Sequence, residues 1–426
     1  MNIYLDMVGC RLNQSEIEAL GRQFRVAGHS LVSQPGSADL VVINTCTVTA
    51  AAASDSRQKI RQAVKAGARR VVVTGCYATL STDEIAALPG EIRVVRNPDK
   101  DRLVPLVLGL PEPSIEDISI TRLPLPGARL RTRAFIKVQD GCNNYCTYCI
   151  TRLARGKSYS RPLSSVVADV QAALDGGSKE IVLTGVHLGS WGVDFDPPAH
   201  LQDLVQALLS CTATPRLHLS SIEPWDVTTE LLQLWQDEHL CRHLHLPLQS
   251  GCTATLQRMG RKISPGAYAG LVAQARALIP GISITTDIIT GFPGECRVEF
   301  DESLAFVQQM GFAGGHVFTY SPRPGTAATS LPSQVNPKVS KQRSVLMRQV
   351  LRQAAAAFQH RQVDRNLSIL WEKAVSTGEN QWRLSGLSQN YQRVHALSNA
   401  PCLNQVNTVR ITAVDEDGLM GEILPI

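Results

Sequence analysis

Three cysteines, Cys142, Cys146 and Cys149, are spaced C-x3-C-x2-C in the run CNNYCTYC. Thiolates are soft ligands that favour iron–sulfur clusters or zinc. Structural zinc takes four ligands in a closed shell, and no fourth cysteine or histidine lies nearby in the sequence. A 4Fe–4S cubane held by three cysteines fits better, and it leaves one iron open to a further ligand. The bland alternative is three buried thiols that happen to be close. So dense a group of thiols, in a chain whose cysteines are expected to stay reduced, argues against it.

Three more cysteines are related by placement. Cys10, Cys46 and Cys76 sit in the contexts MVGC, INTC and VTGC, each just after a short apolar run. Read as parallel strands, these runs put all three thiols on the carboxyl edge of one sheet, where open α/β folds bind ligands. Neighbouring strands lie ~4.8 Å apart, so three such thiols can converge on one small object. A free cysteine also favours buried sites for no reason but packing. That explains one such position more easily than three equivalent ones.

Both trios need a scaffold, and the chain has the material for it. Its 426 residues are 44% hydrophobic and 19% charged, with a formal charge of +5 and 11 cysteines. This excludes a disordered chain and a uniformly polybasic one. No apolar stretch approaches the ~20 residues a membrane helix needs. The start, MNIYLDMVGC, has no basic flank and carries Asp6, so no signal peptide and a cytoplasmic address are expected.

The strand–helix rhythm of residues 1–110 predicts an N-terminal doubly wound parallel α/β domain. Its strands are expected at 3–7, 40–43 and 71–73, with a helix presenting Ile17, Leu20 and Phe24. Prolines 111, 113, 124 and 126 mark a linker at 110–133. From 130 to 336 the rhythm restarts. Strands are expected at 135–139, 180–184, 216–220, 243–246, 283–289 and 316–320, a parallel sheet that is open or curved into a partial (βα)6 barrel. Residues 337–363 read as a basic linker helix with Leu346, Val350, Ala354 and Ala357 or Phe358 inward. Residues 364–426 carry five short strands, expected at 367–373, 382–387, 391–397, 408–414 and 419–424. They predict a small antiparallel barrel of the oligonucleotide-binding type.

The C-x3-C-x2-C spacing, with the aromatic Tyr148 before the third cysteine, resembles the radical S-adenosylmethionine (SAM) enzymes. That resemblance implies that the open iron chelates SAM, and that an electron from the cluster cleaves it to a 5′-deoxyadenosyl radical. Gly9-Cys10-Arg11-Leu12-Asn13-Gln14, Asn44-Thr45-Cys46-Thr47-Val48-Thr49 and Gly75-Cys76-Tyr77 narrow the likeness to the methylthiotransferases. In that family the N-terminal cluster carries or activates the sulfur to be inserted. Two 4Fe–4S clusters facing a common cavity are therefore implied, one on Cys10, Cys46 and Cys76, the other on Cys142, Cys146 and Cys149. The stretches TGVH (184–187), SSIEP (220–224), PLQSG (247–251) and GFPGE (291–295) follow strands, on the rim where parallel barrels place active sites. The resemblance puts Tyr148, Thr184, Gly185, Ser221, Gln249 and Asp287 around SAM. It implies no catalytic side chain beyond the cluster ligands. The remaining cysteines (211, 241, 252, 296 and 402) read as inert.

Two regions concentrate positive charge. Residues 118–168 carry nine bases (Arg122, Arg129, Arg131, Arg133, Lys137, Arg152, Arg155, Lys157 and Arg161) and one acid, Asp140; residues 337–365 carry seven bases and one acid, Asp364. Such regions can hold RNA phosphates, or they can be solvated faces salt-bridged to acidic loops. The C-terminal barrel is similar to the TRAM RNA-binding module of tRNA-modifying methylthiotransferases, although Leu403-Asn404 stands where a glycine is common. The segments 44–61, 150–160 and 184–189 most resemble the branch that methylthiolates N6-threonylcarbamoyladenosine in tRNA at C2, next to the anticodon. On that likeness two SAM molecules serve, one as methyl donor and one as radical source. The partners implied are tRNA, an electron donor such as flavodoxin or ferredoxin, and a sulfur source. The rival readings are the isopentenyladenosine branch and a non-enzymatic RNA-binding iron–sulfur redox sensor. A carboxylate on the threonylcarbamoyl group calls for a basic partner, with Arg152, Arg155 and Arg323 as candidates.

Overall fold

The computed structural model describes residues 1–111, 132–378 and 380–425. Most of the expected linker, with Arg122, Arg129 and Arg131, lies outside the described residues.

The first sheet is built from Asn2–Met7 (β1), Ser30–Leu31 (β2), Leu40–Thr45 (β3), Arg70–Gly75 (β4) and Ile92–Val95 (β5), all parallel, in the order β2-β1-β3-β4-β5. Strand β3 is buried along its whole length, as its unbroken apolar run requires. On one face, Ile17, Leu20 and Phe24 of helix Arg11–Val26 meet Ile3, Leu40, Val42 and Val72. On the other, Ala53, Ile60 and Ala63 of helix Ala50–Lys65 meet Val41, Ile43, Val71 and Val73. Thr49 caps that second helix through its hydroxyl, which accepts from the Ala52 N–H.

The second unit contains Arg133–Lys137 (β6), the short antiparallel pair Gln139–Asp140 (β7) and Tyr159–Ser160 (β8), Glu180–Thr184 (β9), Leu217–Leu219 (β10), His243–His245 (β11), Ser283–Thr290 (β12) and Gly314–Thr319 (β13). Parallel pairing runs β10-β9-β6 and β11-β12-β13. Isolated parallel bridges, Leu217 to Leu240 and Ser221 to His245, join the two halves into one six-stranded arc. This is the expected partial (βα)6 barrel. Its two open edges are covered from outside. On β6, the backbone N–H of Lys137 donates to the Ser15 hydroxyl at 2.9 Å, and beside it Arg22 pairs with Asp169 of helix Leu163–Asp175 at 2.8 Å. Helix Pro337–His360 covers β13 and sends Met347 and Leu351 into the barrel core.

That helix turns part of the expected face outward, although Phe358 is inward as expected and Val350 packs against the core. Leu346 is exposed, and Arg343, Met347, Leu351 and Phe358 point inward. Apolar residues recur at helical spacing in both frames, and adjacent positions differ by only 100° around the axis. The groove it packs against made the choice.

The C-terminal strands are Asn366–Gly378 (β14), Gln381–Ser388 (β15), Arg393–Ser398 (β16), Val406–Asp415 (β17) and Gly418–Ile423 (β18). They close a barrel in the order β14-β15-β16-β18-β17. All pairs are antiparallel except β16 with β18, which run parallel at Val394 and Leu419. This is the five-stranded Greek-key plan of oligonucleotide-binding barrels. Two expectations change. Tyr391, read as the start of a strand, lies in the turn before β16 at φ +62°. Asn404 needs no glycine: it adopts φ +61° itself, and its amide donates to the Gly177 carbonyl at 2.8 Å. Among the described residues no helix is long and apolar enough to cross a membrane.

Candidate active site

Cys10 follows β1 and precedes helix Arg11–Val26; Cys46 follows β3; Cys76 opens the short helix after β4. Since β1, β3 and β4 are adjacent, the three thiols gather on one carboxyl edge, as expected. Two glycines make this possible. Gly9, at φ +111°, lies so close to Cys46 that a Cβ would stand 2.6 Å from that residue's Cβ and 2.9 Å from its Sγ. Gly75, at φ +100°, would bring a Cβ to 2.3 Å from the Thr45 carbonyl. Cys46 and Cys76 are buried and Cys10 is exposed. Burial, reinforced by the charges Cys10 and Cys76 would carry, pushes the Cys46 thiol up to about 11. A bare thiolate is therefore disfavoured at Cys46.

Cys142, Cys146 and Cys149 lie in the loop between β7 and helix Thr151–Arg155. The loop is pinned by the Thr147 N–H, which donates to the Met259 carbonyl at 3.0 Å, and by the Thr147 hydroxyl, which donates to Arg258. Tyr148 packs edge-on against Phe292, with centroids 6.3 Å apart. Arg261 clamps Glu223 through two hydrogen bonds of 2.6 and 3.1 Å, lies over the Trp225 ring, and places Nη1 3.9 Å from Cys146 Sγ. His187 is 2.6 Å from Asp226. Burial alone would lower its pKa, but Asp226 and Cys142 carry it up to about 9.

Neither trio has the spacing of a single tetrahedral ion. A tetrahedral zinc with sulfurs at about 2.3 Å needs those sulfurs about 3.8 Å apart. Among the described residues neither trio brings its three sulfurs within 4.8 Å of one another. The one set that does meet that spacing is Glu180, His218 and Cys241. Arg133 and Arg216 already neutralise Glu180 there, at 2.7 and 2.9 Å, so a cation gains nothing.

Between the trios lies a buried charge knot. Glu16, three per cent exposed at its side chain, accepts from Lys100 and Arg155 at 2.8 Å and has Lys137 at 3.6 Å. Asp140 takes Arg155 at 3.0 Å and Lys137 at 3.3 Å. Arg155 also donates to Asn13 Oδ1 at 2.8 Å. Although burial opposes ionisation, Arg155 and the two lysines hold the Glu16 carboxyl well below its ordinary range. One arginine six residues past Cys149 is thus tied to the helix that starts at Cys10. Much of the first basic region is spent in this way: Arg133, Lys137, Arg155 and Arg161 all face carboxylates. They form no free phosphate track.

A cavity of about 820 Å³ joins the units. Cys10, Cys46 and Cys76 line it together with Thr184, Gly185, Ser221 and Asp287 from the barrel. The second trio does not line this cavity, contrary to expectation. It sits behind the margin formed by Thr151, whose hydroxyl and backbone hydrogen-bond Cys149. Gln249 and Tyr148 are also off the cavity wall; Gln249 is half-buried and joined through its backbone to the Asp287 and Ile289 positions of β12. Two buried cavity atoms have no partner, Ser220 Oγ and Asp287 Oδ1. Buried polar atoms without partners are costly, and a polar ligand would satisfy them.

Models of two families match the chain: an uncharacterized family, UPF0004, over residues 2–96, and the Radical SAM superfamily over residues 136–307. The threonylcarbamoyladenosine tRNA methylthiotransferase MtaB of Bacillus subtilis is 34% identical over 95% of this chain and 92% of its own length. The chain belongs to the radical SAM methylthiotransferase family. A Thermotoga maritima protein of the same MtaB name is 32% identical over 98% of this chain and 96% of its own. Among solved structures, the radical SAM methyltransferase TsrM of Kitasatospora setae, with tryptophan and a SAM analogue bound, superposes with a TM-score of 0.56 at 16% identity, covering 74% of this chain and 72% of that one. That likeness concerns the fold. This methylthiotransferase is therefore an enzyme whose cofactors are 4Fe–4S clusters and SAM.

Sequence reasoning missed several contributors. His218 and His243, one and two per cent exposed, are 2.7 Å apart, and His243 reaches Thr285 at 2.8 Å. Tyr391 of the C-terminal barrel stacks on His243, with centroids 4.6 Å apart and planes inclined by 16°. Burial presses both histidines below their ordinary value. The unfolded chain then binds protons that the folded one refuses. Stability is complete above about pH 6.5 and declines as pH falls toward the folded-state values. We expect the thermal midpoint to drop as pH falls below about 6.5, with a shallower slope in His243→Gln. Equal slopes would exclude this histidine pair as the source.

Proposed function

We propose that the enzyme inserts a methylthio group at C2 of N6-threonylcarbamoyladenosine next to the anticodon of tRNA in the cytoplasm, using two SAM molecules. The observation that carries this reading is the cavity in which the thiols of Cys10, Cys46 and Cys76 face the barrel positions Thr184, Gly185, Ser221 and Asp287. Curated relatives that share nearly the whole chain are named threonylcarbamoyladenosine tRNA methylthiotransferases, which supports this reading.

The residues divide as follows. Residues 1–110 form the methylthiotransferase domain and would hold one cluster through Cys10, Cys46 and Cys76. Residues 130–336 form the radical core and would hold the other through Cys142, Cys146 and Cys149, with Tyr148, Thr184, Gly185, Ser221, Gln249 and Asp287 around SAM. The helix of 337–363 leads to the RNA-binding barrel of 364–426. Bound cofactors supply the one-electron chemistry that opens an unactivated C–H bond, which acid–base groups cannot do. The protein's own part is positioning. Ser220 and Asp287 offer unspent hydrogen bonds, and the Glu16–Arg155 knot fixes the spacing of the trios.

The base must leave its stack to enter this cavity, so the enzyme must grip RNA elsewhere. Arg242, Arg276, Arg361 and Arg365 line two adjoining grooves where the core, the long helix and the barrel meet. None of the four is in an ion pair among the described residues, and burial with the neighbouring Arg361 charge lowers the Arg276 pKa. Guanidinium groups without a carboxylate partner on a seam suit phosphodiester contacts. An electron donor such as flavodoxin or ferredoxin, and a sulfur source, complete the partners.

Nucleoside analysis of tRNA from a deletion strain tests the reading. The methylthio form of threonylcarbamoyladenosine should vanish while that of isopentenyladenosine persists. The reverse pattern would move the enzyme to the isopentenyl branch.

A further inference from the structure

We propose that Arg11, held by Tyr391 of the C-terminal barrel, binds the carboxylate of the substrate's threonylcarbamoyl group and so sets specificity. This rests on the substrate reading above and extends it to a residue.

Arg11 lines the cavity beside Cys10. It is the first residue of helix Arg11–Val26, whose first turn contains no acid. A helix N-terminus carries positive partial charge, so a cation there is placed against the field. A second cation stands close by: the guanidinium groups of Arg11 and Arg133 both lie 5.4 Å from the Tyr391 ring centre. Arg133 is compensated by Glu180 at 2.7 Å and Glu372 at 3.6 Å. Arg11 forms no ion pair among the described residues. Its polar contact is with the Tyr391 hydroxyl, to which it donates. It also lies over the Phe135 ring.

Arg11 is thus an uncompensated guanidinium at a helix start, fixed by a tyrosine whose own backbone is held at φ +62° and whose ring is stacked on His243. The site calls for an anion in the cavity, and a planar carboxylate matches guanidinium geometry. The other cationic candidates are engaged or placed elsewhere. Arg155 is saturated by Glu16 and Asp140, Arg152 stacks on Tyr145 at 3.8 Å, Arg393 pairs with Glu372 at 2.7 Å, and Arg323 is not on the cavity wall.

Two carboxylates could enter here, that of the nucleoside and that of SAM, and the test separates them. Binding of an anticodon stem–loop carrying threonylcarbamoyladenosine is compared with binding of the same RNA carrying plain adenosine, by fluorescence anisotropy on the anaerobically purified full-length enzyme. SAM binding is measured in parallel by calorimetry. The wild type should prefer the modified loop by roughly tenfold to a hundredfold, the range of a charge-assisted hydrogen bond. Arg11→Gln should bring that ratio close to one, Arg11→Lys should restore part of it, and Tyr391→Phe should give an intermediate ratio, each with wild-type iron content. An unchanged ratio in Arg11→Gln overturns the inference while leaving the substrate reading intact. Weakened SAM binding with an unchanged RNA ratio assigns the arginine to SAM, which also overturns it. A wild type with no preference for the threonylcarbamoyl loop removes the substrate reading, and the inference with it.

Discussion

Cys46→Ser, purified anaerobically, is expected to lose about half of its iron and to make no methylthiolated product, yet still to cleave SAM to 5′-deoxyadenosine on reduction. Cys146→Ser should lose the other half and both activities. The trios belong to different folding units: one edges the first sheet, the other sits in the loop after β7. Neither shares a ligand with the other. Within the first trio the loss should be steep. Cys46 is buried, and burial holds its thiol protonated in the absence of metal. The two remaining thiols, Cys10 and Cys76, with a serine hydroxyl cannot replace three thiolates, so methylthio transfer should fall at least about a hundredfold. Iron and sulfide analysis with product chromatography decides the matter. A Cys46→Ser protein with full iron and wild-type product would remove the first cluster from its proposed ligands.

Glu16→Ala is the variant expected to cost most in stability. It would leave Lys100, Arg155 and Lys137 buried around an empty centre, with Asp140 facing the last two and Asp101 facing Lys137. Breaking a buried ion pair by removing one partner costs about 3–5 kcal/mol, because the other charge is stranded. Urea denaturation should show a loss of that order with the slope unchanged. Glu16→Ala combined with Lys100→Met should lose less than the two single variants added together, since the second change removes one stranded charge. The pH dependence has a definite sign. With its folded pKa held below the ordinary carboxylate value, Glu16 contributes fully above about pH 4.5, and the contribution disappears as pH falls toward the folded value. A Glu16→Ala protein within about 1 kcal/mol of wild type would mean that the knot does not hold the units together.

The sequence by itself determined the strands that carry the thiols, the two three-cysteine sets, the six-stranded rhythm of the core and the five strands of the last barrel. Each of these is written locally, as an apolar run, a fixed spacing or a turn residue, and local signals survive without knowledge of the fold. Even there the limit is visible in helix Pro337–His360, where two apolar frames one residue apart were equally legible and only packing against β13 chose between them.

The tertiary structure alone decided how those parts work together. Arg155 meets Glu16 across 139 residues of chain, and Arg11 meets Tyr391 across 380. No period or motif encodes such pairs. Each partner looks like an ordinary surface residue until folding brings it to low-dielectric ground, where an unpaired charge becomes expensive and a paired one becomes rigid. The placement of the second trio behind the cavity margin, and the intrusion of a barrel tyrosine into the cavity, are of the same kind. They follow from how the three units pack together, and that packing depends on surfaces whose shapes and charges are set by residues far apart in the chain.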